Sequence, residues 1–270
     1  MQGKAGLAGE LAGKVLFVAG VGPLMGSATA LIAAREGAKV AVAARGAEHP
    51  NEVARQIREA GGEAIALQCD LTDRSSIKAA ADEAAAALGT IDRVFYNAGY
   101  YDNEHATIDV DEDVWQTTMD VNYNGAHWLA RAVMPGMLEK GNGAFVFNSS
   151  AASLVAGQVR FGYQVSKAGV NALTRFIAAN YGRRGIRANA TLPFVVGGEV
   201  GRVTSELNCI GRSGTAEEIG EAVVFLLSDR ASIITGQVIH LDGGVFARAA
   251  WPTNAAPYQP PPPLEEETTP

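Results

Sequence analysis

Residues 14–38, "KVLFVAGVGPLMGSATALIAAREGA", set a short apolar run at 15–19 before three glycines, Gly20, Gly22 and Gly26, and then an alanine-rich run of helical length closed by Gly37. Strand, tight turn and helix is the reading that this order of residue types supports. Outward from it the alternation repeats. Further strand candidates are "AKVAVAA", "EAIALQC", "IDRVFYNAG", "GAFVFNSS", "IRANATL" and "GQVIHLDGG", and helix candidates lie near 25–36, 50–61, 73–88, 110–138, 160–182 and 215–228, with Gly37, Gly61, Gly89 and Gly182 as terminators. Continuously apolar strands between helices imply a parallel sheet covered on both faces. The expected fold is α/β, doubly wound, with a seven-stranded parallel sheet. Such folds bind ligands outside the carboxyl ends of their strands.

The chain has 270 residues, 47% hydrophobic and 19% charged, enough for one sizeable core. One domain is expected over 13–248, between a loose extension at 1–12 and a proline-rich acidic tail at 249–270. The net charge of −7 and the sparse basic run "RRGIR" argue against nucleic acid and anionic membrane as partners. No apolar run approaches the ~18 residues of a membrane span, and the first residues lack the apolar centre of a signal peptide. Cys69 and Cys209 have no spacing that suggests a disulfide or a metal, and each reads as a small buried apolar residue. A cytosolic protein without a bound metal is expected.

The glycine turn asks for a ligand or for nothing. A fingerprint GxGxxG would need glycine at Met25, and GxxxGxG would need it at Leu24. Glycines in such a turn let backbone approach a pyrophosphate at the helix N-terminus, yet similar turns occur without nucleotide. The second strand candidate ends in Ala44 and Arg45, with no carboxylate before Glu48. An arginine there suits the 2′-phosphate of NADP, although a solvated arginine at a strand end looks the same.

A second pattern lies in "YQVSK", where Tyr163 and Lys167 share one helix face at i and i+4. An ammonium beside the phenol would lower its pKa from ~10 and fit it for proton transfer to or from an alcohol oxygen. A plain surface pair is the alternative. Ser150, at the end of the fifth strand candidate, is the expected partner for a substrate oxygen, and Ser149 is its rival.

These features together resemble the short-chain dehydrogenase/reductase family, from about residue 12 to 246. The motifs are the loop 20–26, "CDLTD" at 69–73, "YNAG" at 96–99, Asn122 in "DVNYNG", Ser150, "YQVSK", "IRANATLP" at 186–193 and "LDGG" at 241–244. The resemblance implies a Rossmann-type fold and a tetrad in which Tyr163 is the acid/base. Lys167 would hold the nicotinamide ribose and tune Tyr163, Ser150 would orient the carbonyl, and Asn122 would hold a relay water through a helix irregularity. It further implies that Gly20, Gly22, Leu24, Met25 and Gly26 cradle the dinucleotide. Asp70 and Leu71 would flank adenine, and Asn97, Ala98 and Gly99 would line the adenosine ribose or, for Asn97, serve the sheet alone. Pro193 and Val195 would lie beside the nicotinamide. A homodimer or homotetramer is implied through the helices 110–138 and 160–182.

Three departures stand out. Leu24 replaces the family's usual middle glycine, with small effect if the side chain turns inward. Phe194 follows Pro193 where glycine is usual, and Gly197–Gly198 stand where a threonine is common. Only residues 199–209 separate Gly198 from "IGRSGTAEEI", so the segment that often covers substrate is short. Tyr100, Tyr101, Phe161 and Phe194 are candidates for the mouth, and would favour a bulky or cyclic apolar carbonyl. His49, His127 and His240 suggest no site, and His105 reads as a loop residue. The expected activity is NADP(H)-dependent reduction of a carbonyl or oxidation of its alcohol. The alternatives are NAD(H)-linked alcohol oxidation and a non-redox nucleotide-binding protein of the same fold.

Overall fold

A computed structural model describes residues 9–101, 110–155, 160–197 and 208–247. His105, Gly198, residues 1–8 and the tail 249–270 lie outside the described residues. Seven parallel strands run in the order β3-β2-β1-β4-β5-β6-β7. They are β1 (Val15–Ala19), β2 (Lys39–Ala44), β3 (Ala64–Gln68), β4 (Arg93–Tyr96), β5 (Gly143–Asn148), β6 (Ile186–Pro193) and β7 (Val238–Leu241). The helices are α1 (Met25–Arg35), α2 (Glu48–Glu59), α3 (Arg74–Leu88), α4 (Glu112–Met119), α5 (Gly125–Lys140), α6 (Phe161–Tyr181) and α7 (Ala216–Leu227).

Strand residues alternate between two cores because successive side chains point to opposite faces. Phe17, Val94, Tyr96, Phe145 and Phe147 pack with Leu129, Met137, Val170 and Ile177 on the face of α3, α5 and α6. Leu16, Val18, Val40, Val42 and Val146 pack with Ile32, Ile57, Val224 and Leu227 on the other. Local signals fix the helix starts. Asp73 accepts from the Ser75 amide at 2.7 Å, and Thr215 with Glu218 forms a reciprocal capping box.

Two expectations change and one is refined. Leu11, within the stretch read as loose, is fully buried, and its amide bonds the Glu36 carbonyl at 2.9 Å. Gly182 does end α6, as expected, but in right-handed geometry at φ −56°, and the left-handed turn falls at Gly185 after one 3-10 turn. The helix expected at 110–138 is interrupted, since Asp120–Asn124 form a π-helical turn between α4 and α5.

At the amino ends of the strands lies a buried charge cluster. Asp92 and Arg93 are both fully buried. Asp92 accepts from the Val15 amide and pairs with Lys140, while Arg93 reaches Asn142 at 2.8 Å and Asp229 at 2.9 Å. Arg187 donates to the carbonyls of Leu226 and Ser228 at the end of α7.

Candidate active site

The strand order reverses between β1 and β4, and the carboxyl ends of these strands open the crevice such folds use. Gly20 has φ +78°, and a Cβ there would lie 2.6 Å from the Ala98 Cα, so only glycine lets the β1 and β4 loops approach this closely. Asn97 bridges the same gap, donating to the Gly20 carbonyl at 2.9 Å and accepting from Asn148 at 3.2 Å. Thr191 extends the chain of bonds to β6. Asn97 therefore has a structural role, whatever else it touches.

The loop fits a dinucleotide in most respects. Helix α1 has no side-chain cap and no acid in its first turn, so its dipole faces the crevice without a side-chain counter-charge, although the Ser27 amide is taken by the Gly22 carbonyl. A Cβ on Gly22 would meet nothing within 4 Å, whereas Gly26 packs tightly against Val21, Asn97 and Gly20. Leu24 does not turn inward. It is 45% exposed, and its Cδ2 would stand 3.1 Å from a Cβ on Gly197. Ala44, Gly46, Glu48, His49 and Glu52 border a hollow of about 600 Å³ with Val21, Gly22 and Pro23. Arg45 is exposed beside it. His49 contacts Ser27 Oγ at 2.9 Å and so ties the starts of α1 and α2, a link that no spacing announced.

Asp70 accepts from the Thr72 amide and hydroxyl at 2.9 and 2.7 Å, holding the turn after β3. Leu71 is buried beneath it. Ala98 offers its carbonyl to Lys167, and a Cβ on Gly99 would lie 3.9 Å from the Tyr101 hydroxyl oxygen.

The second cleft, about 590 Å³, brings Leu24, Met25, Ser150, Tyr163, Pro193 and Val195 together. Tyr163 hydrogen bonds with Ser150 and with Tyr101. Ser149 instead turns to Ser153 and the Lys167 carbonyl, which separates the two serines. Asn122, in the π turn, holds the Tyr100 backbone from both sides, at 2.7 and 2.9 Å, and donates to Ser166 at 3.0 Å. The wide turn leaves the Val121 carbonyl to accept the buried Tyr96 hydroxyl at 2.6 Å. Val195 gives its carbonyl to the Gly214 amide at 3.2 Å. Of the four aromatic candidates for the mouth, Tyr101 and Phe194 line the cleft. Phe161 stacks on Trp115 with ring centroids 5.6 Å apart.

The expected electrostatic effect is reversed. Burial raises the Tyr163 pKa above its usual value, Tyr101 adds to this, and the Ser150 bond opposes it. Burial alone brings Lys167 down to about 7. Its Nζ donates to the carbonyls of Ala98 and Asn148, at 3.1 and 2.7 Å, and sits 5.6 Å from the Tyr163 ring centre. Burial dominates both groups, and the raised Tyr163 pKa favours the phenol, which is suited to donating a proton. Cys209 also differs from expectation. It is exposed, because it occupies a turn against Gly243 and Gly244, where its thiol meets the Gly244 carbonyl. Among the described residues no cluster of potential ligands could hold a metal ion, and no helix is long and apolar enough to cross a membrane.

Fold and crevice define a class: oxidoreductases built on a parallel dinucleotide-binding sheet. The family described as enoyl-(acyl carrier protein) reductase matches residues 22–246. Cyclohexanol dehydrogenase of Acinetobacter sp. (strain SE19) is 32% identical over 87% of this chain and 96% of its own length. Cis-4-hydroxycyclohexanecarboxylate dehydrogenase of Sinomonas cyclohexanicum is 34% identical over 87% and 97%. The crystal structure of a chain described as a short-chain alcohol dehydrogenase from Sinorhizobium meliloti 1021 superposes with a TM-score of 0.84, at 32% identity, covering 88% of this chain and 98% of that one. The chain belongs to the short-chain dehydrogenase/reductase family, and is an NAD(P)-dependent enzyme acting on CH–OH or C=O groups.

Proposed function

We propose that the protein interconverts a bulky or cyclic secondary alcohol and its ketone, with NADP(H) as the preferred cofactor. The observation that carries this reading is the meeting of Ser150 and Tyr163 in one cleft with the glycine loop. When bound, the nicotinamide supplies the hydride for reduction or takes it in oxidation. Ser150 orients the carbonyl oxygen, and Tyr163 donates the phenolic proton to that oxygen as the alcohol forms. Lys167, anchored on the carbonyls of Ala98 and Asn148, would hold the nicotinamide ribose hydroxyls. Asn122, through the Tyr100 backbone, keeps the β4 loop in register with the proton path. The cyclic ring substrates named for the Acinetobacter and Sinomonas relatives support the substrate class.

Arg45 supports NADP(H). Glu48 and Glu52 border the same hollow and favour the second reading, NAD(H), because carboxylates suit ribose hydroxyls and repel a 2′-phosphate. Two free cysteines accord with a cytosolic location. An apolar groove between α5 and α6, with Phe176 59% exposed, supports a homodimer or homotetramer. Turnover of cyclohexanone and aromatic ketones with NADPH and NADH tests the reading. Tyr163→Phe should lower kcat by roughly 10²–10⁴-fold. An activity that survives this substitution intact would point to the non-redox alternative.

A further inference from the structure

Among the described residues that line the catalytic cleft, only Arg160 carries a formal charge at neutral pH; no described Asp, Glu or Lys shares the lining. This holds in a chain whose net charge is −7. The Arg160 guanidinium lies 5.1 Å from the centre of the Tyr101 ring, and that ring lies 4.7 Å from the Tyr163 ring. A cation thus stands one aromatic ring away from the phenol that meets the substrate oxygen. Among the described residues no carboxylate forms an ion pair with it.

Arg160 is also poorly suited to its own position. It is the sole non-glycine residue with positive φ among those described, at φ 67° and ψ 51°. As N-cap of the 21-residue α6, it puts a cation at the positive end of a helix that has no side-chain cap and no acid in its first turn. An anion between the guanidinium and the cleft would answer both the charge and the helix end. Tyr101, held between Arg160 and Tyr163, spaces the cation from the phenol and so sets the distance between the anion and the reacting carbon.

We infer that Arg160 binds a carboxylate carried by the substrate on the side remote from its carbinol or carbonyl carbon, so that the preferred substrate is a ring alcohol or ketone bearing one carboxylate. Arg160 is exposed at the rim of the cleft, and its single charge matches one carboxylate. The guanidinium fork fits the two carboxylate oxygens, and its position sets the length of the skeleton between the two ends. The inference rests on the oxidoreductase reading above and names the substrate class of that same cleft.

The test compares reduction of 4-oxocyclohexanecarboxylate and its methyl ester by the holoenzyme. The acid should show a kcat/KM at least about tenfold above that of the ester. This ratio should collapse in Arg160→Gln and return in part in Arg160→Lys. In the wild type with NADP⁺ present, calorimetry should show cyclohexanecarboxylate binding about tenfold more tightly than cyclohexanecarboxamide, less so at high salt. A ratio near one in the wild type overturns the inference, as does an unchanged ratio in Arg160→Gln. So does a variant in which the dinucleotide KM rises and both substrates decline together, which would make Arg160 a cofactor ligand. Absence of turnover with every ketone and either dinucleotide refutes the oxidoreductase reading instead. The calorimetric comparison still reports on Arg160 in that case, and equal binding of acid and amide overturns its role.

Discussion

Replacing Gly125 with alanine tests how the π turn is held. The new Cβ would run into the Tyr96 hydroxyl and lie 2.8 Å from the Leu71 carbonyl oxygen and 3.1 Å from that of Asp120. Tyr96 is 1% exposed and has no free space to retreat into. Either its bond to Val121 breaks or the turn carrying Asn122 shifts. Overpacking costs about 1–3 kcal/mol. A buried carbonyl left without a donor costs a further ~1–3 kcal/mol. The better helix propensity of alanine returns about 1 kcal/mol, leaving a net loss of about 3 kcal/mol. For a chain of this size that is a fall in Tm of about 6–12 °C. Denaturant unfolding gives the energy, and kcat follows Asn122. Tyr96→Phe alone should cost about 1–2 kcal/mol by orphaning Val121. The double variant should be more stable than the sum of the two losses by at least ~1 kcal/mol, because the collision with the hydroxyl is gone. A Tm change below ~2 °C for Gly125→Ala, or strict additivity, would refute the reasoning.

Leu24→Gly should leave dinucleotide affinity intact or improve it modestly, since the leucine spans open cleft toward Gly197; a loss beyond about tenfold in a binding titration would show that it is part of the fit. Lys167 adds a pH dependence. Its folded pKa of about 7 lies below the unfolded value near 10.5, so the unfolded chain binds the extra proton between them. Stability of the wild type relative to Lys167→Met should therefore rise as pH climbs through that window, and a flat difference in unfolding free energy would contradict the burial. Phe176→Arg should shift the sedimenting species to a smaller one, and an unchanged assembly would remove the α5–α6 groove as its interface.

Much of this architecture was legible because its signals are local. Apolar runs such as Val15–Ala19 and Gly143–Asn148 became strands, and five of the six helix candidates appear within a few residues of their expected bounds, the sixth, 110–138, being divided into α4, a π turn and α5. The π turn at Asp120–Asn124 was not readable from periodicity, since one extra residue in a turn barely disturbs a helical pattern. It was anticipated only as an irregularity implied by resemblance. The Tyr163–Lys167 pair was found by spacing, but its electrostatics were not, because burial depends on what the rest of the chain puts around it. Left-handed geometry at Arg160 had no signal at all, as arginine is an uncommon choice there. His49 was dismissed for want of ligand partners, and its partner Ser27 arrives only when two helix starts converge.

The charge cluster at the amino ends of the strands gives the molecule two unlike poles. Asp92, Arg93, Lys140 and Asp229 join β4, the end of α5 and the chain just after α7 at the pole farthest from the reacting groups. Loops at the other pole can therefore be rewritten for new substrates while the frame that carries them stays knotted from behind. A library confined to the β4, β5 and β6 loops should yield mostly folded variants, whereas one that includes Asp92 or Arg93 should not.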